Sequence, residues 1–309
     1  MSDVQPRHAA SSPRALLFAV PIGLLVTTLA SLWALADSPA APSADQILPP
    51  APAVVRELPA VQIEIEAATD PCDDAAVTAA LASGDDSAVL AAFGGAEAFR
   101  TSVIAGAAPC ISLSDASHVW VVVNKARTVE PRDYAPRSLS GSGLMTTTGS
   151  GTARTDVSAA LATLASAAAD AGAGRIGVNN GYRSYDLQVR TYGQHVRAQG
   201  TASADTVSAR PGHSEHQTGL AVDVVACDGH CTGIHAFAGT PQSAWVAEHA
   251  WEYGFIVRYE QGRTATTGYI AEPWHLRYVG PEIAAVYHAG GFHTLEEFFG
   301  LPAAPDYVE

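Results

Sequence analysis

Residues 211–223 read PGHSEHQTGLAVD, and a second short motif, Glu272-Pro273-Trp274-His275, follows further along the chain. The first stretch sets out Ser214-x-His216-x-x-Gly219-x-Ala221-x-Asp223. His216, Asp223 and His275 together offer two imidazoles and a carboxylate, with Glu272 as a second carboxylate beside them. Three protein ligands and one open position is the pattern of a catalytic rather than a structural zinc site. Any one of these residues alone is more often a cap or a surface group. The joint pattern carries the reading.

The local sequence supports that grouping. Gly219 permits a turn, and Leu220–Ala226 (LAVDVVA) reads as a short strand rich in β-branched residues. On a period-2 strand Asp223 shares a face with Ala221 and Val225, and the small Ala221 leaves room beside it for a metal and a substrate. Trp274–Val279 alternates as a second strand. Pro273 cannot donate a ladder hydrogen bond, so Glu272 belongs at the mouth of that strand. Strict alternation sets Glu272 and His275 on opposite faces, and a kink at Pro273 is required to bring them together.

SxHxxGxAxD followed by ExxH resembles the D-alanyl-D-alanine carboxypeptidases of the VanY type, within a wider group of zinc peptidases that includes lysostaphin-like and hedgehog-like folds. Flanking segments agree: Val123-Asn124-Lys125, Gly181-Tyr182-Arg183-Ser184 with Gln188, and Glu252-Tyr253-Gly254-Phe255. The resemblance covers roughly residues 117–290 and is specific, because several separated motifs occur in the right order. It implies zinc on His216, Asp223 and His275, and removal of the terminal D-alanine from peptidoglycan stem peptides. It also implies that Glu272 is the general base and that Arg183 and Gln188 contact the substrate.

Arg183 also makes sense on chemical grounds. A guanidinium grips a free terminal carboxylate through two parallel hydrogen bonds, or stabilises an oxyanion. The bland alternative is a surface ion pair. Ser214 is a further substrate contact or, equally simply, a local cap.

Composition bounds the rest. A net charge of −14 argues against nucleic acid as a partner, because phosphate binding needs clustered cations. Lys125 is the only lysine, so no Ser-x-x-Lys motif exists and a serine penicillin-binding mechanism is excluded. Arg7 and Arg14 precede an uncharged run from Ala15 to Ala36, long enough for a bilayer span of roughly 20 residues. The basic flank predicts the N-terminus inside and everything after Asp37 outside. Residues 1–36 are therefore expected to be a cytoplasmic tip and membrane anchor, or a signal peptide cleaved after Ala34-Leu35-Ala36. The Pro/Ala-rich residues 37–66 form an extended linker.

Residues 67–115 form a small Ala-rich helical segment bracketed by Cys72 and Cys110, whose pairing an oxidising compartment favours. Cys227 and Cys231, with His230 and His235 nearby, read as a surface-loop disulfide in preference to a zinc knot. Pairing of these two with Cys72 and Cys110 stays open.

Residues 116–309 are the expected peptidase domain. Strands are predicted at His118–Asn124, Arg175–Asn180 and Phe255–Tyr259, besides the two motif strands, and a long loop at 125–154. Helices are predicted at Thr155–Ala171 and Asp186–Gln199, and from a Thr240-Pro241 start to Tyr253. Pro281–Ala289 and Thr294–Phe299 close the chain as short helices. Helices with antiparallel-looking motif strands make the class α+β, a small antiparallel sheet with flanking helices. An L,D-carboxypeptidase, a peptidoglycan endopeptidase and a non-catalytic wall-binding module are the alternatives. An intact Glu272 argues against the binding module, because a binder has no use for a water-activating carboxylate.

Overall fold

The computed structural model describes residues 70–148 and 150–308. The anchor or signal peptide expected over 1–36 and the linker over 37–66 lie outside the described residues. Among those described, no helix is long and apolar enough to cross a membrane.

Three short helices come first: α1 (Ala75–Ser83), α2 (Asp86–Ala92) and α3 (Ala96–Ile104). Asp74 and Asp85 accept hydrogen bonds from the exposed amides that begin α1 and α2, which fixes where each starts. A disulfide joins Cys72 to Cys110. This segment does not stand apart from the rest. Phe99 is fully buried, with its ring 5.2 Å from Phe93 and 5.0 Å from Trp120.

A hairpin of β1 (Leu139–Gly141) and β2 (Thr152–Arg154) leads into α4 (Thr155–Asp170). Val157, Leu161, Leu164, Ala165 and Ala168 of α4 are buried, the stripe expected of a helix lying on a core. The chain continues through β3 (Ile176–Asn180), α5 (Tyr185–Gln199), α6 (Thr201–Val207) and β4 (Ala221–Ala226). Next come α7 (Pro241–His249), β5 (Phe255–Tyr259), α8 (Thr264–Thr267), β6 (Glu272–Tyr278), α9 (Pro281–Ala289) and α10 (Leu295–Phe298). Strands β3–β6 make one antiparallel sheet in the order β3-β4-β6-β5. Its two central strands are the two motif strands. On β4 the alternate residues Val222, Val224 and Ala226 enter the hydrophobic core, while Asp223 points the other way.

The expected class, a small antiparallel sheet with flanking helices, is the observed one. Three local expectations need correction. Residues 119–124 are buried and His118 is half-buried, but the stretch forms no strand. The Val122 amide donates to the Leu113 carbonyl at 2.9 Å, and the Val119 and Val121 carbonyls accept from the Arg277 guanidinium at 3.0 and 2.6 Å. A side chain replaces the neighbouring strand. The long loop at 125–154 contains the β1–β2 hairpin, whose strands are too short and polar to show a pattern. The helix expected from Pro241 to Tyr253 stops at His249 and tightens into a 3-10 turn over Ala250–Tyr253, closed by Gly254 at φ 81°.

Truncating Phe99 tests whether the helical segment shares one core with the sheet. Phe99→Ala should destabilise by about 3–5 kcal/mol and leave a single unfolding transition in urea. Two separate transitions would show the segment to be an independent unit.

Candidate metal centre

His216 sits in a 3-10 turn, Glu215–Thr218, which Gly219 closes at φ 72°. A Cβ on Gly219 would lie 2.7 Å from Pro136 Cγ, so both the backbone angle and the packing call for glycine. Asp223 on β4 and His275 on β6 are direct cross-strand partners. His216 Nε2 lies 3.3 Å from Asp223 Oδ2, and His275 Nδ1 lies 3.3 Å from Asp223 Oδ1. One ligand atom from each of the three residues falls within 4.8 Å of the others, and all three are buried.

These residues fit a divalent cation. Asp223 Oδ1 is buried without a hydrogen-bond partner, because its contact with His275 is poorly aligned. A cation held by the three side chains would satisfy that oxygen. His216 Nδ1 donates to the Gly181 carbonyl at 2.9 Å, which leaves the Nε2 lone pair facing Asp223. His275 presents the opposite nitrogen: its Nε2 is 3.2 Å from Glu215 Oε2, so Nδ1 faces inward.

Charge follows from this packing. Burial pushes Asp223 up, but His216 and His275 pull it well below the usual carboxylate range. Burial pushes His216 down, towards the neutral form a metal needs. Burial also pushes His275 down, yet the carboxylates of Asp223 and Glu215 beside its two ring nitrogens prevail and raise it to about 9. The two imidazoles differ because only His275 has a carboxylate on each ring nitrogen.

Glu272 reaches the same point through an irregularity in β6. Between two cross-strand pairs, Val257↔Leu276 and Tyr259↔Glu272, β6 advances farther than β5, so extra residues bulge out around Pro273. The bulge turns Glu272 Oε2 to within 3.7 Å of His275 Nδ1. The kink that the sequence required is this bulge. Burial pushes the Glu272 carboxyl up to about 7, against the pull of His275 and Arg183.

These groups open onto a cleft of about 390 Å³, lined also by Asn180, Arg183, Gln188, Ser214, Tyr259 and Trp274. Arg183 is held by its backbone amide, which donates to the His216 carbonyl at 3.2 Å. The residue is half-buried, and its Nε is out of reach of solvent with no partner among the described residues. Gln188 uses its amide nitrogen on the Ala209 carbonyl at 2.5 Å and leaves Oε1 unpartnered. Ser214 lines the cleft and its side chain makes no capping bond.

All seven residues singled out from the sequence thus meet in one cleft. His213, three residues before His216, lies outside this cleft, with Nδ1 donating to the Asn124 carbonyl at 2.8 Å. Cys227 and Cys231 form a disulfide, and His235 packs edge-on against Trp274 at 5.1 Å. Sequence reasoning passed over Glu215, although it lies inside the quoted motif. Its partners come from distant strands and leave no local trace.

Residues 151–281 match the VanY family, described as D-alanyl-D-alanine carboxypeptidase. YodJ of Bacillus subtilis (strain 168) is 43% identical over 120 residues, which is 39% of this chain and 44% of YodJ. A D-alanyl-D-alanine carboxypeptidase of Enterococcus faecalis is 40% identical over 131 residues, covering 39% of this chain and 46% of that protein. The chain therefore spans less than half the length of these two relatives. Among solved structures, the LdcB LD-carboxypeptidase is similar at a TM-score of 0.54 and 35% identity, over 59% of this chain and 86% of that one.

Removing the central carboxylate tests the cation site. Asp223→Ala is expected to abolish one-to-one divalent-ion uptake in calorimetric titration while preserving the far-UV circular dichroism. Unaltered uptake would remove Asp223 from the site.

Proposed function

From a chain that belongs to the VanY family of D-alanyl-D-alanine carboxypeptidases, we propose a zinc-dependent hydrolase that removes the terminal D-alanine from peptidoglycan stem peptides. The observation that carries this reading is the His216–Asp223–His275 trio with Glu272 at its edge and an unpartnered guanidinium across the same cleft. Two imidazoles, one carboxylate and an open position suit a catalytic zinc ion. His216, Asp223 and His275 would hold the zinc, which when bound would polarise the scissile carbonyl and lower the pKa of a neighbouring water to about 7.

The chain's own residues supply the rest. Glu272, whose pKa burial places near neutrality, takes the proton of the attacking water and returns it to the leaving amine. The water oxygen ends on the carbonyl carbon as the C–N bond breaks, so both products are accounted for. Arg183 directs its free Nε–H at a substrate oxygen, either the developing oxyanion or the terminal carboxylate. Gln188 Oε1 and the Ser214 hydroxyl are free to hold the backbone of the stem peptide.

A second reading keeps this site and shortens the substrate. The likeness to LdcB favours L,D-carboxypeptidase trimming of a tetrapeptide. The catalytic groups are common to both reactions.

The working place of this enzyme is outside the cytoplasmic membrane. The uncharged run from Ala15 to Ala36 with its basic flank supports a single-pass anchor, or a signal peptide that is cleaved. The Cys72–Cys110 and Cys227–Cys231 disulfides support an oxidising compartment. On this arrangement 1–36 anchor, 37–66 tether, and 116–309 carry the chemistry, with 67–115 packed beside them.

The test is mass spectrometry of stem peptides incubated with the purified, zinc-loaded chain. The wild type should shorten a pentapeptide ending in D-Ala–D-Ala by one alanine. Glu272→Ala should keep zinc and lose roughly 10²–10⁴-fold in turnover. A pentapeptide left intact beside a shortened tetrapeptide would transfer the assignment to the L,D reading. Undiminished turnover by Glu272→Ala would remove it from the base role.

A further inference from the structure

We infer that Glu215 is a positioning residue for the metal centre: it fixes the orientation of His275 from behind, by a carboxylate–imidazole contact at Nε2, the ring nitrogen turned away from Asp223. The inference rests on the metal reading above and deepens it.

The carboxylate of Glu215 divides its work between its two oxygens. Oε1 accepts from both Arg258 Nε at 3.0 Å and Arg277 Nη1 at 2.7 Å. Oε2 is left to face His275 Nε2 at 3.2 Å. Two guanidiniums arriving from two strands clamp one oxygen, and the other is thereby aimed. Arg258 is itself held by both oxygens of Glu296, at 3.0 and 2.8 Å, and Glu296 accepts from Asn124 Nδ2 at 2.8 Å. The side chains of Glu215, Arg258, Arg277 and Glu296 are wholly excluded from solvent. Nothing in this cluster has room to swing.

The consequence falls on His275. With Nε2 engaged by a carboxylate, the ring is held in the one orientation that turns Nδ1 towards Asp223, 3.3 Å away. A carboxylate partner also makes an imidazole a stronger donor to a metal than a carbonyl partner does. His216, by contrast, rests on the Gly181 carbonyl. The same 3-10 turn therefore contributes twice: His216 enters the site directly, and its neighbour Glu215 orients the ligand on β6.

Glu215 also balances two buried guanidiniums, and the experiment must separate that duty from positioning. Glu296 provides the control, because it belongs to the same cluster and carries the same charge but does not touch His275. Glu215→Gln and Glu296→Gln are prepared in the full chain. Each is assayed for zinc affinity by competition with a fluorescent chelator, for the visible spectrum of the cobalt-substituted protein, and for thermal unfolding.

Both variants should lose thermal stability. Zinc affinity should fall about 10–100-fold in Glu215→Gln and stay within about threefold of wild type in Glu296→Gln. The cobalt spectrum should shift only in Glu215→Gln. Equal zinc affinity in Glu215→Gln and wild type, or an equal loss in both variants, would overturn the inference. If Glu215→Gln is not recovered folded, Glu215→Asp takes its place on the same criteria, since it keeps the charge and withdraws the carboxylate from the ring. A wild-type chain that takes up no zinc would instead overturn the metal reading itself.

Discussion

Asp223 and His275 are paired across β4 and β6, and the site depends on that pairing. Residues directly opposite on antiparallel strands have Cβ atoms only about 4.5–5.5 Å apart, so two ligands in register are close before any side chain is adjusted. Slipping either strand by one residue would turn its ligand to the far face and move Val222 or Leu276 towards the cleft. The core opposes such a slip, because Val222, Val224 and Leu276 fill it from the other side. Apolar burial on one face thus fixes metal geometry on the other. The third ligand needs a device of its own, and the turn ended by Gly219 provides it by carrying His216 back over the start of β4.

Behind the ligands the domain buries charge rather than hydrocarbon. Burial alone pushes Glu215 up, but Arg277 and Arg258 pull it well below its ordinary range. Bringing a single such ion out of water costs several kcal/mol, so these groups persist only because each is paired and hydrogen-bonded. Arginine suits this task better than lysine, since its planar fork meets two or three acceptors at fixed angles. Arg277 shows the advantage: one guanidinium serves Glu215 and the carbonyls of Val119, Val121 and Tyr278. The one lysine, Lys125, serves as a point donor, reaching the Gly268 and Pro305 carbonyls at 2.7 and 3.0 Å.

How much of this could be read beforehand depended on how local each signal was. The trio was legible because Gly219 and strand parity determine where His216 and Asp223 point. The irregularity at Glu272 was legible because Pro273 cannot complete a ladder. Residues 119–123 misled because a run of fully buried valines resembles a strand buried on both faces, and sequence does not show who accepts the backbone hydrogen bonds. Here the partner is a guanidinium on a strand more than a hundred residues away. Glu215 was invisible for the same reason. Its neighbours in the chain are motif residues, but its partners in space are Arg258, Arg277 and His275.

That irregular stretch also explains what the Ala-rich helices contribute. Residues 119–123 lack a β-sheet neighbour, so side-chain packing must hold them in place. Trp120 provides the anchor, packed against Phe99 of α3 and stacked on His118 at 4.4 Å. His118 Nδ1 meets Asp86 of α2 at 2.6 Å, and the second oxygen of Asp86 accepts the Val119 amide at 2.9 Å. With the stretch pinned in this way, the Val119 and Val121 carbonyls are presented to Arg277, and Arg277 in turn grips Glu215. The helices thus complete the wall on which the buried charges are mounted. A segment whose best apolar and polar groups are spent inward in this manner is built for support.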